Sequence, residues 1–233
     1  MDAMTDEPLA FCPDDFSGLA RVFPLPNLVM FPHVMQAMHI FEPRYQALFE
    51  EAMEDDRLIT LGVLAPGWEA HYQGRPALRS TACLCRIATH QRTPEGTYNV
   101  LLLGVRRLRL VRELPPEKPF RVAEAALVED ALPPDASEAA MAALQQRLLS
   151  AFKRAMPKIP SSYEQLDQLL GSQITLGMLT DIVAYTIELD LDTKLKLLGE
   201  CDVLQRTQLL LEALGKQHQL RRERPFPPAF SPN

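Results

Sequence analysis

Apolar residues in the first half of the chain come in short runs that favour strands, and in the second half they recur every three to four residues, as amphipathic helices require. Residues 20–32, ARVFPLPNLVMFP, read as a short strand interrupted by Pro24 and Pro26, a pattern expected at a sheet edge or where a strand enters a loop. Residues 35–41, MQAMHIF, predict a second strand. The period then changes. Tyr45, Leu48, Phe49, Ala52 and Met53 recur at i, i+3, i+4, i+7 and i+8, which predicts one helix with a single apolar stripe. Pro43 falls in its first turn, where a fixed φ helps and a missing N–H costs nothing. Glu42, Glu50, Glu51 and Glu54 fall on the polar side.

Further strands follow. RLITLGVL (57–64) is a β-rich run closed by Pro66 and Gly67. TACLCRIATH and TYNVLLLGVRRLRLVREL flank RTPEG, where Pro94 and Gly96 supply turn chemistry, so a hairpin is expected. In VRRLRLV, alternation places Val105, Arg107, Arg109 and Val111 outward and Leu108 and Leu110 inward. FRVAEAALVED (120–130) closes the strand-rich half. From Pro133 the pattern is helical. Ser137 stands at a helix start, and Met141, Leu144, Leu148 and Phe152 share one face. KIPSSYEQLDQLL interrupts that helix and partly restarts it. Leu179, Ile182, Val183, Thr186 and Ile187 form another stripe, DTKLKLLGE a short connector helix, and Leu204, Thr207, Leu210, Leu211 and Leu214 the last stripe. The outline is α+β: a tail over 1–20, a β-rich unit with one helix over 21–131, a helical unit over 132–220 and a proline-rich tail over 221–233.

The 233 residues are 47% hydrophobic and 23% charged, a globular balance long enough to bury a sizeable core. No apolar run reaches the ~20 residues of a membrane span, and MDAMTDEPLAFCPDD lacks a charged-then-apolar leader, so a cytoplasmic protein is expected. Cys83 and Cys85 share a strand face and suit two small buried groups. No second Cys or His pair accompanies them, so neither metal nor cofactor is expected. Charge is uneven: residues 1–60 hold 3 basic and 11 acidic side chains, and residues 61–125 hold 10 and 5.

That basic middle raises nucleic acid as a partner, through Arg86, Arg92, Arg106, Arg107, Arg109 and Arg112. Lysine is nearly absent there and no aromatic residues interleave for base stacking, so a solvated strand face balanced by the acidic first third is the preferred reading. Ser150 and Lys153 match S-x-x-K by spacing alone, without the S-D-N and K-T-G partners of that chemistry. The five histidines show no paired metal or triad spacing, and His39, inside an apolar run, is expected to be a hydrogen-bonded core residue.

FPLPNLVMFP, HIFEPRYQALFEEAM, CRIATHQRTPEGTYNVLLLGVRRLRL, FRVAEAALVED and LLGECDVLQRTQLLLEAL, in this order, resemble the N-terminal domain of Lon-type ATP-dependent proteases from about Arg21 to Gln219. The resemblance implies a twisted, PUA-like β-barrel followed by a helical bundle, and a role in receiving protein clients for an ATPase and protease. Those engines are not expected here. No G-x4-GK-[ST] phosphate loop occurs, since Gly215-Lys216 is followed by Gln217, and no protease part follows. No catalytic residue is therefore assigned. Phe41, Glu42, Pro43, Arg44, Tyr45, Gly104, Arg106 and Arg107 carry the family motif and are read as structural: Pro43 starts the helix, Phe41 and Tyr45 pack inward, Arg44 pairs locally. The expected partners are unfolded or client polypeptides, or a Lon-type or other ATP-dependent protease, with neither membrane nor nucleic acid. Candidates for that contact are Met30, Phe31, Val34, Met35 and Met38 around Pro32, with Trp68 and Tyr72 in the next loop, because methionine adapts to many apolar sequences. The alternatives are ordinary core packing of the same residues, or RNA or small-ligand binding on the barrel face. Oligomeric state stays open.

Overall fold

A computed structural model of the chain describes residues 11–71, 74–134, 136–155 and 174–223, and the side chains of all of these except 71 and 218–223. The chain divides into two compact units at Glu129/Asp130.

The first unit is a closed six-stranded mixed sheet. Its strands are β1 (Leu19–Leu25), β2 (Met35–Ile40), β3 (Leu58–Leu64), β4 (Leu78–Arg92), β5 (Tyr98–Glu113) and β6 (Arg121–Val128), in the order β2-β5-β4-β3-β1-β6. A further pairing of β5 with β6 closes the ring. Only β1 and β3 run parallel. Closure depends on the length of β5. Its first half, Tyr98–Leu103, pairs with β2, and its second half, Arg107–Glu113, pairs with β6 along the same side.

At the changeover, residues 31–34 cross directly over Gly104. The Gly104 N–H donates to the Val34 carbonyl (2.9 Å) and the His33 N–H donates to the Gly104 carbonyl (2.8 Å). A Cβ at Gly104 would stand 2.1 Å from the Phe31 carbonyl oxygen, so only glycine fits this approach. Opposite Leu84–Cys85, β5 carries an extra residue between Gly104 and Arg106, a bulge that shifts the alternation. Val105 and Leu108 therefore both face the barrel core with Val22, Leu84 and Ala123. Two sequence expectations change here. Arg107 is buried (3% exposed), held between β4 and β6, rather than outward. Pro24 belongs to an inner strand, but β6 pairs only with Leu19–Val22, so proline stands where β1 has a single neighbour.

Cys83 and Cys85 are buried, as their small apolar character suggests. Phe11 and Phe16, flanking a short 3-10 turn (Pro13–Asp15), pack against the barrel core, so the second half of the expected tail takes part in the fold. Helix α1 (Pro43–Glu54) starts at proline and buries Tyr45, Leu48, Phe49 and Ala52.

The second unit is helical: α2 (Glu138–Ala155), α3 (Leu176–Thr186), α4 (Leu191–Gly199) and α5 (Val203–Glu223). Leu144 of α2, Leu176 of α3 and Val203 of α5 form a shared cluster. Side-chain caps begin α3 and α4: Thr175 accepts from the Met178 N–H (3.3 Å) and Asp190 from the Thr193 N–H (2.8 Å). Arg206, fully buried on α5, donates to both oxygens of Asp130 (3.0 and 2.6 Å) and lies 3.4 Å from Asp181. That pairing fixes the start of the unit against α5, and removing Asp130 would take the bidentate partner from a fully buried guanidinium. The interrupting segment 156–173 and the tail from 224 lie outside the described residues. Among those residues no helix is long and apolar enough to cross a membrane.

Candidate functional site

The surface expected around Pro32 splits in two. Met30 and Phe31 are fully buried and Val34 is buried with them, because the crossing over Gly104 turns Phe31, Pro32 and Val34 inward and leaves only His33 of these four exposed. Their place on an exposed surface is corrected to core packing. Met35 is 49% exposed, while Met38 is half-buried on the opposite face of the same strand. Trp68 is half-buried in a 3-10 turn (Trp68–His71) after β3, and Tyr72 lies outside the described residues.

The FEPRY corner follows β2. Glu42 is the N-cap in extended conformation and Pro43 the first helical residue. The Arg44 guanidinium donates to Glu42 (3.0 Å) and covers the Tyr45 ring at 4.6 Å. Tyr45 is buried and stacks on Phe23 at 4.1 Å. Phe41 does not pack inward. It is 62% exposed and stacks on His39 at 5.9 Å. His39 is likewise exposed rather than in the core, and bonds to the Asn99 side chain (2.8 Å).

Cross-strand register sorts the rest. Directly paired residues project to the same side of a sheet. Three rows share the Met35 side of β2, β5 and β4: Met35–Leu103–Arg86, Ala37–Leu101–Thr89 and His39–Asn99–Gln91. The other side, with Ile40, Tyr98, Val100 and His90, meets α1 in part, and His90 keeps an exposed position. There Phe49 packs on Tyr98 (4.5 Å) and His90 (5.4 Å), and the Tyr98 hydroxyl donates to Glu50 (2.8 Å). That bond to a carboxylate holds the Tyr98 hydroxyl above the usual phenol range. A shallow concavity of about 590 Å³ runs along β2, β5 and β4, lined by Ala37, His39, Thr89, Gln91, Asn99 and Leu101 of these rows and also by Met38, His90 and Val100 between them. β2 is its outer strand, and none of its six residues is Lys, Arg, Asp, Glu or Pro. Edge strands usually carry such residues to block pairing with other chains.

The arginines are largely committed within the first unit. Arg86 pairs with Asp15 (3.4 Å), Arg106 covers the Phe11 ring at 5.4 Å, and Arg92 covers the Tyr98 ring at 5.8 Å. Arg112 bonds to Glu124, and this contact holds the Glu124 carboxyl below the usual range. Arg21 gathers Glu51, Asp55 and Asp56. Burial pushes the Glu51 carboxyl up, but the bonds from Lys118 and Arg21 outweigh it and leave it lowered. Between the acidic first third and the basic segment the pairs are Asp15 with Arg86 and Glu51 with Lys118 (2.6 Å), while Arg112, Arg75 and Arg121 pair with Glu124 and Glu113 of their own segment. Among the described residues no group of three or more His, Cys, Asp or Glu is placed to hold a metal ion. A second concavity of about 380 Å³ in the helical unit is lined by Glu188, Asp190, Glu212, Lys196 and Lys216, charges of both signs.

The motif order and the barrel agree with comparisons to known proteins. Residues 20–216 match the profile of the family described as ATP-dependent protease La (LON) substrate-binding domain. Lon protease 2 of Myxococcus xanthus is 25% identical over 208 residues, covering 89% of this chain and 24% of that protein. Lon protease of Anaeromyxobacter dehalogenans is 23% identical over 214 residues, with 91% and 25% covered. The chain thus spans about a quarter of these relatives, and only their substrate-binding part is matched. The Lon N-terminal domain protein from Xanthomonas campestris superposes with a TM-score of 0.58 at 22% identity, covering 83% of this chain and 97% of that one. The N-terminal domain of Mycobacterium avium complex Lon protease gives 0.63 at 17%, with 84% and 98% covered. This chain belongs to the family of the Lon protease substrate-binding domain.

Proposed function

We propose that the chain is a non-catalytic, cytoplasmic module that binds unfolded or client polypeptides, for itself or for a partner ATP-dependent protease. The contact is the uncovered face of β2, β5 and β4. The observation that carries the reading is the pair of exposed apolar side chains at the two ends of an uncharged edge strand, Met35 at 49% and Phe41 at 62%. An extended client lying along β2 would meet Met35, Ala37, His39 and Phe41 at alternate positions, the spacing by which edge-strand recognition reads side chains. The relatives support the class of partner through their family description as a substrate-binding domain of an ATP-dependent protease. Apolar burial at this face requires no bound cofactor and no reacting group.

The test is the affinity of a fluorescently labelled, reduced and alkylated model protein for the wild type and for the Met35→Ala/Phe41→Ala double variant. Reburying what these side chains expose is worth roughly 2 kcal/mol together, on the order of 30-fold in affinity. Equal affinity of the two proteins, with equal melting temperatures, would remove this face from consideration.

A further inference from the structure

We propose that β2 pairs with the β2 of a second copy of this chain, antiparallel about a two-fold axis at Ala37, and that this pairing takes the edge away from clients. The pairing stands on the geometry of the strand, and only its consequence for clients rests on the preceding reading. The phase of the ladder decides which backbone groups are open. The Gly104 N–H donates to the Val34 carbonyl (2.9 Å), so the next pair, Met35–Leu103, lies between hydrogen-bonded positions. Bonds to β5 then fall to Gln36, Met38 and Ile40, and Met35, Ala37 and His39 aim their N–H and C=O groups away from β5. Ala37 shows this phase directly: its carbonyl accepts from the Gln36 side-chain amide, which leaves a second lone pair for a partner N–H. An open row of this kind, in a strand without Lys, Arg, Asp, Glu or Pro, is a template for another strand.

A second copy fits this row in phase, size and charge. The open positions 35, 37 and 39 are symmetric about Ala37. A two-fold axis there sets Ala37 against the partner's Ala37 and Met35 against the partner's His39, and each such pair exchanges two N–H···O bonds. Directly paired side chains share a face. The small Ala37 at the axis leaves room for the long side chains on either side of it. Met35 then meets the ring of the partner's His39, on which the partner's Phe41 stacks at 5.9 Å within its own chain, a sulfur–aromatic contact. Both apolar side chains that stand in solvent, Met35 and Phe41, are brought together across the axis. The strand holds no Lys, Arg, Asp or Glu, so identical copies meet without the like-charge repulsion that edge charges normally set up. One short strand per partner buries at most about 1,200 Å², the low end of specific interfaces. The dimer is therefore weak, with a dissociation constant on the order of 100 μM, and clients reach the edge only in dilute protein.

The experiment is sedimentation velocity of the whole chain from about 5 μM to about 500 μM, either side of the expected midpoint. The wild type is compared with Ala37→Lys, which sets two ammonium groups against each other at the axis, and with Val111→Lys, a charge at another exposed position of the sheet. Wild type and Val111→Lys are expected to pass from the 26.2 kDa monomer to twice that mass, and Ala37→Lys to stay monomeric with an unchanged melting temperature. Wild-type protein that is monomeric throughout overturns the proposal. So does a dimer that survives Ala37→Lys, or one that both variants abolish. A trace of the labelled, reduced and alkylated model protein reads the consequence in the same runs: its label should travel with the monomer boundary and be missing from the dimer boundary. Label in the dimer boundary overturns the competition for the edge. Label in neither boundary, with the dimer formed, leaves the pairing standing and defeats the client reading instead.

Discussion

Met30 and Phe31 lie within eleven residues of Met35 and Phe41, with the same kinds of side chain and opposite fates. The first two are sealed in the barrel and the second two stand about half or more in solvent. Hydrophobicity does not separate them. The separating feature is the path of the backbone over Gly104, which drives Phe31 inward. Immediately beyond it β2 begins, paired on one side only, in a sheet whose other face meets α1 through Phe49 on Tyr98 of β5. An apolar residue in a strand is committed to the core only when both the register and a covering element agree. Here α1 meets one face and leaves Met35 on the other.

The contrast can be broken at its origin. Gly104→Ala places a methyl group against the Phe31 carbonyl and forces the crossing to move, with a loss of about 4 kcal/mol or more expected in urea unfolding. A loss under 1 kcal/mol would mean that the crossing yields easily and does not hold Phe31 inside. Phe31→Ala leaves a cavity and should cost about 3–5 kcal/mol, while the fraction that stays folded binds the model protein as wild type does. Weakened binding by folded Phe31→Ala protein would return that residue to the contact surface.

A smaller change in the other unit sharpens the comparison. Asp190→Ala removes the cap of α4 and should cost about 1 kcal/mol without altering binding. Hydrogen bonds from the Thr193 side chain and backbone hold the Asp190 carboxyl below its usual range. The folded state therefore favours the ionised form, and its contribution is present at neutral pH. It is lost as pH falls from the ordinary carboxylate value of about 4 through the lowered one. The gap between variant and wild type should be widest near pH 7 and close on acidification. A gap independent of pH would place the effect in helix propensity rather than in the cap.

Much of the fold was legible because local signals agreed with one another. Pro43 with the Tyr45–Leu48–Phe49–Ala52 stripe marks α1, RTPEG marks the β4–β5 turn, and Ser137 marks the start of α2. Closure of the barrel was not legible from the residues, because it depends on β5 pairing with β2 along its first half and β6 along its second; the extra residue at Val105 separately inverts the alternation that strand reading assumes. Arg107 and Val111 were assigned to one outward face; Arg107 is buried and Val111 is 65% exposed. Arg206 and Asp181 inside the helical unit gave no periodic signal, since a buried ion pair looks polar until its partner is known.

The candidate site was half legible. Met35 stood among the expected contacts and Phe41 was assigned to packing. One local signal argued otherwise. Phe41 precedes the N-cap Glu42, where an apolar residue normally packs on the fourth helical residue, and that residue is Gln46. With no apolar partner on the helix, Phe41 is left to solvent.

Site-specific photocrosslinking to the labelled model protein tests the central claim most directly, with the reactive group placed at Phe41 or at Val111. Both positions are exposed, at 62% and 65%, and only Phe41 adjoins the uncovered face. The account predicts strong capture from position 41 and background capture from position 111. Equal capture from both, or capture from position 111 alone, would contradict it.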